Sequence, residues 1–99
     1  MAFFQVTSTE LRSKAENIKN LNVQFRAKAS DMESKEGTLC SMWEGQARDT
    51  FHRAFLRDRQ QMDAFNQLID QYIQALLDIA ARYEQAEAKN RELAAGRNY

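Results

Sequence analysis

The segment Gly37-Thr38-Leu39-Cys40-Ser41-Met42-Trp43-Glu44-Gly45 separates two long helical patterns that do not continue through it in one register. Before it, Leu11, Ile18, Phe25, Met32 and Leu39 recur every seven residues, with Ala15, Asn22, Ala29 and Glu36 between them as a mostly small second column. Spacing that alternates four and three draws one continuous stripe along a helix. After it, Phe51, Phe55, Met62, Phe65, Ile69, Tyr72, Leu76, Ile79, Tyr83 and Ala86 follow the same alternation, interrupted once by Asp58. Leu68, Ile73 and Ala80 widen this second stripe on both flanks. Two helices joined by one turn are therefore expected.

The outer ends of the pattern are also marked. Thr7 as N-cap and Glu10 three residues later have capping-box spacing, and Val6 and Leu11 stand at the hydrophobic-staple positions. Off the stripe, Glu10/Lys14 and Asp31/Lys35 are spaced for ion pairs across one helical turn. Gly37 weakens the end of the first helix. Ser41 and Glu44 repeat the capping-box spacing and place one possible start of the second helix at Met42, while Gly45 offers the alternative of a backbone angle that other residues resist. The expected domain is a single hairpin over residues 1–99: helix one about 8–40, turn about 41–45, helix two about 46–93, then a frayed tail.

Ninety-nine residues hold one small domain, and the absence of proline with only three glycines argues against turn-rich β and α/β folds. Lys+Arg and Asp+Glu balance at 14 each, which points to neither a nucleic-acid nor a membrane partner. No run approaches the roughly 18 apolar residues of a membrane span, so stable membrane insertion is not expected. Met1-Ala2-Phe3-Phe4-Gln5-Val6 has no basic region and no cleavage site, unlike a secretory signal peptide. A single cysteine, Cys40, excludes an internal disulfide framework and a cysteine-rich zinc site.

The width of the stripes carries a further implication. A seam for one partner helix needs two columns, whereas a broader stripe packs against two neighbours. A lone two-helix hairpin leaves one flank of each stripe in water. The expectation is an all-α antiparallel helix-turn-helix hairpin that dimerises into an elongated four-helix bundle, with Leu11, Ile18, Phe25, Met32, Leu39, Phe51, Phe55, Met62, Phe65, Ile69, Tyr72, Leu76 and Ile79 in the core and dimer packing. Asp58 would then make a polar contact across the dimer with a lysine or arginine.

Chemistry-bearing residues are sparse. His52 and Cys40 lie twelve residues apart with no orienting acid signature and no glycine loop, so no nucleophile is read from them, and Cys40 is expected to pack as a small apolar group. His52 is the only histidine, and neither a metal site nor a cofactor site is expected. Arg48, His52, Arg53, Arg57 and Arg59 are interleaved with Asp49, Asp58 and Asp63, the pattern of a solvated, salt-bridged face, with Asp49/Arg53 at pairing distance. The sequence reads as non-enzymatic.

Trp43-Glu44-Gly45 in the turn, the capped first helix and the amphipathic second helix together resemble the WXG family of about one hundred residues, the early-secreted-antigen-like substrates of type VII (ESX) secretion. Gln46-Ala47, Phe51 and Phe55 are similar to the homodimer-forming members of Gram-positive bacteria. Tyr83-Glu84-Gln85-Ala86-Glu87 matches the family's late tyrosine followed four residues on by an acidic residue. The resemblance implies that Tyr83 and Glu87 form a C-terminal export signal beside the partner subunit's Trp-x-Gly turn, here Trp43 and Gly45, read by a secretion ATPase. It implies a folded dimer, with itself or a related member, secreted without a signal peptide from a cytoplasmic pool. From the residues alone, Trp43 also reads as a plug for the bundle end, Tyr83 as core, and Glu87 as a solvated carboxylate or a partner of Arg91. Two other functions compete: an intracellular adaptor pairing with the helical N-terminus of a larger secreted toxin, and a plain coiled-coil scaffold.

Overall fold

The computed structural model describes residues 6–96, and those residues form two antiparallel α-helices, α1 (Ser8–Ser41) and α2 (Gln46–Gly96). Residues 1–5 and 97–99, on which the N-terminal reading and part of the tail reading fall, lie outside the described residues. Thr7 is the N-cap of α1: its backbone is extended, and its hydroxyl accepts from the Glu10 amide at 3.0 Å. That contact satisfies one of the donors a first turn leaves open. α1 continues through Gly37, and α2 continues through Ala94 and Ala95 to Gly96, where the sequence suggested fraying.

The turn resolves the two alternatives for the start of α2. Ser41 ends α1 and its hydroxyl donates to the Thr38 carbonyl at 2.6 Å, so it does not cap α2. Gly45 precedes α2 at φ 114, the one positive φ among the described residues, and its carbonyl accepts from the Asp49 amide at 3.3 Å. A side chain at that angle would be strained, which is why glycine stands there.

The helices touch along a narrow seam of small and polar side chains. On α1 the buried residues are Ala15, Asn22, Ala29, Glu36 and Cys40; on α2 they are Asn66, Ile73 and Ala80. The alanines let the backbones approach closely. Asn22 Nδ2 donates to the Asn66 carbonyl at 3.3 Å and to Asp70 Oδ1 at 3.0 Å, fixing the register at mid-length. Flanking ion pairs repeat that register: Arg12 with Glu84 at 2.5 Å, Arg26 with Asp70, and Arg59 with Glu33 at 3.1 Å.

The large apolar side chains are mostly elsewhere. Phe25, Met32, Leu39, Phe51, Phe65, Tyr72, Ile79 and Tyr83 are exposed, and Leu11, Ile18, Phe55, Met62, Ile69 and Leu76 are half-buried. They line one side of the hairpin, where Phe25 and Phe65 pack with ring centroids 5.6 Å apart. The molecule measures 84 × 27 × 16 Å, one helix thick. Its radius of gyration is 22.9 Å, against about 13 Å for a compact domain of this length.

Candidate functional site

Three features carry the functional reading: the turn, the late Tyr-x-x-x-Glu, and the open apolar face between them. At the turn, Trp43 is half-buried and packs against Phe51, the first large residue of the α2 stripe, with centroids 5.8 Å apart and planes at 47°. The Met42 amide donates to the Leu39 carbonyl at 3.1 Å, and Arg48 Nε donates to the Cys40 carbonyl at 3.1 Å. The Cys40 carbonyl also accepts from the Trp43 amide at 3.4 Å, and a cationic side chain beside the last carbonyls of α1 complements the helix dipole. The indole is thus held in place by its own hairpin.

Tyr83 and Glu87 lie on one face of α2, both exposed, and Glu87 is 4.0 Å from Arg91. In a single chain this pair does not meet Trp43. Most of the residues between the two features are in α2, which at 1.5 Å per residue sets them more than about 50 Å apart. Neighbouring Glu84 pairs with Arg12, whose hydrogen bond holds the Glu84 carboxyl below the usual carboxylate range.

The open face runs the length between these ends. One groove in it is lined by Ile18, Leu21, Phe25, Phe65 and Ile69, and the adjoining one by Phe25, Asp58, Gln61, Met62 and Phe65. Asp58 therefore sits in the apolar face, and among the described residues it makes no ion pair within the chain. The chain exposes 8267 Å², where a folded monomer of its mass exposes about 5,800 Å².

Several side chains stand where the pattern did not put them. Arg59, read as part of a solvated basic face, is four-fifths buried on the seam and pairs with Glu33 and Asp63. Asp49 pairs with Arg48 at 3.1 Å, and Arg53 reaches only the Asp49 carbonyl, at 3.4 Å. The Glu10/Lys14 and Asp31/Lys35 spacings form no ion pair among the described residues. Cys40 is buried, but its thiol donates to Glu36 Oε1 at 2.9 Å, and the same oxygen lies 2.6 Å from His52 Nδ1. These contacts hold the Glu36 carboxyl below its ordinary range, Cys40 contributing most and His52 next, while the bond to Glu36 pushes the Cys40 thiol up. The spacing places Glu36 in the second column of α1 but does not indicate that it holds Cys40 and His52. The one available signal was an acid in a column otherwise made of alanine and asparagine.

A family described as proteins of 100 residues with WXG matches residues 4–88. The chain belongs to the WXG100 family. Among its relatives is the type VII secretion system extracellular protein A of Staphylococcus aureus, 29% identical over 76 residues, which span 77% of this chain and 78% of the relative. Solved structures of the secreted protein EsxB from Bacillus anthracis share the hairpin fold. One superposes with a TM-score of 0.78 at 23% identity, covering 88% of this chain and 99% of EsxB. A second crystal form gives 0.76 at 24% identity, covering 85% and 97%. The WXG100 motif in this chain is Trp43-Glu44-Gly45, and its glycine is the residue at positive φ. No helix among the described residues is long and apolar enough to cross a membrane.

Proposed function

We propose that this WXG100 protein is a non-enzymatic substrate of a type VII secretion system, exported as a folded homodimer. The observation that carries the reading is the open apolar face. A standard interface buries about 800 Å² per partner, and the hairpin's total surface exceeds that of a compact monomer of its mass by about three times that area. A closed twofold contact uses one self-complementary patch on both copies. Turning one hairpin end for end about the Phe25–Phe65 level covers both open faces and yields an antiparallel four-helix bundle.

The same arrangement gives the two motifs a common place. Each bundle end would hold Trp43 and Gly45 of one copy near Tyr83 and Glu87 of the other, a composite surface for a secretion ATPase. Tyr83 and Glu87 are both exposed in the single hairpin, Glu87 beside Arg91 and Tyr83 at the end of the open apolar stripe. The dimer would leave a cytoplasmic pool for the extracellular space.

Secretion assays in the native host test this. Trp43→Ala, and separately Tyr83→Ala with Glu87→Ala, are expected to stay inside cells as intact dimers. A mixed dimer of the two variants keeps one wild-type end, so co-expression should restore export. Undiminished export of either variant alone would overturn the composite signal. A chain that is unfolded alone but folds with the helical N-terminus of a larger toxin would replace this reading with the adaptor.

A further inference from the structure

The Glu36–Cys40–His52 cluster does nothing for the export reading, and its chemistry differs from the rest of the seam. Glu36 and Cys40 lie one turn apart on α1 and are 7% and 5% exposed. His52 reaches them from the first turns of α2 with 37% of its side chain exposed. One donor atom from each residue falls within 4.8 Å of the other two. The separations are 2.6 Å from Glu36 Oε1 to His52 Nδ1, 2.9 Å from Cys40 Sγ to Glu36 Oε1, and 4.0 Å from Cys40 Sγ to His52 Nδ1.

We propose that Glu36, Cys40 and His52 form a three-donor site for a divalent transition metal of the zinc class, clasping α1 to α2 directly beneath the Trp43 turn. Carboxylate, thiolate and imidazole are the ligands such an ion takes, at about 2.0–2.3 Å. Tetrahedral bonding at those lengths sets donor atoms about 3.3–3.6 Å apart. The three observed separations bracket that range, so small side-chain rotations suffice. The exposed edge of His52 leaves a fourth position for water.

The charge balance is consistent. Carboxylate and thiolate together neutralise a dication, and His52 binds as the neutral imidazole. The other charged groups facing the cluster are Arg48, held on the Cys40 carbonyl, and its partner Asp49. On binding, the Cys40 S–H bond breaks, the sulfur electron pair passes to the metal, and the proton leaves to solvent. For a neutral His52 whose Nδ1 donates to Glu36, that proton moves through solvent to Nε2 when Nδ1 ligates. One proton per ion is therefore released, and affinity rises with pH.

Cobalt(II) added to the full-length chain is the probe. The expected result is one ion per chain, a thiolate-to-cobalt charge-transfer band in the near ultraviolet, release of one proton, and displacement by zinc. Cys40→Ser should abolish the band. His52→Gln, at a partly exposed position, should weaken binding by more than the roughly 10-fold that loss of an outer-shell partner costs, with helix content unchanged. Zinc should raise the Tm of the wild type more than that of His52→Gln at the same zinc concentration. A wild-type chain that gives no charge-transfer band, or a His52→Gln variant that binds cobalt as tightly as wild type, would overturn the proposal.

Discussion

The two long faces of the hairpin differ in what they are made of. The face closed within the chain is built mainly from small and polar residues, Ala15, Ala29, Cys40 and Ala80 with Asn22, Glu36 and Asn66, with Ile73 its one large buried aliphatic side chain and charged pairs at its margins. The open face carries Phe25, Phe51, Phe65, Tyr72 and Ile79. An isolated fold would do the reverse, because burying each large side chain contributes about 1.5–3 kcal/mol and an alanine far less. The closed face even holds one buried polar atom, Asn66 Oδ1, with no partner among the described residues, a cost of about 1–3 kcal/mol. Small residues on the inner face set spacing and register. In the proposed dimer, the larger share of burial energy comes from the outer one.

Substitutions on the two faces should therefore behave differently. The largest effect is expected for Phe25→Ala with Phe65→Ala, which removes the aromatic pair at the centre of the open face. In the proposed dimer both rings are buried, where each phenylalanine lost costs about 3–5 kcal/mol, so the dimer should dissociate and the chain unfold at concentrations where wild type is intact, as seen by circular dichroism across a dilution series. A variant that stays folded and dimeric would mean this face is not the interface.

A smaller loss, about 1–3 kcal/mol, is expected from Ala29→Leu. Ala29 is 2% exposed, and a leucine there forces the helices apart although it adds apolar area. Thermal melting checks this: an unchanged or raised Tm would show that the closed face has room and does not set the helix spacing.

The smallest and most local effect concerns acid. Glu36 is held below the ordinary carboxylate range by its bonds to Cys40 and then His52. A depressed folded value means the charged carboxylate stabilises the fold above the unfolded value of about 4.3. That stabilisation is lost as pH falls through the folded value. Glu36→Gln should lower stability near neutrality and flatten its decline below about pH 4.3, measured by urea unfolding at several pH values. Parallel pH profiles for the two proteins would remove Glu36 from the acid response.

The sequence makes the helices, the Thr7 cap and the WXG turn legible because each depends on residues close together in the chain. Leu11 to Leu39 announce a stripe by spacing alone, and Trp43 to Gly45 announce the break. The register between helices is not local. Nothing near His52 or Arg59 says that they face α1, so both read as part of a basic, solvated surface. Their partners Glu36 and Glu33 become visible only once Asn22 is set against Asn66. Ser41 and Gly45 both offer a start for α2, and the choice between them rests on a backbone angle that spacing cannot express.

Sedimentation equilibrium of the purified full-length chain, over a wide concentration range, is the most direct check on the open face. A species of twice the 11.5 kDa chain mass, melting at a temperature that rises with concentration, is the predicted result. A compact 11.5 kDa monomer with a cooperative, concentration-independent melt would contradict it.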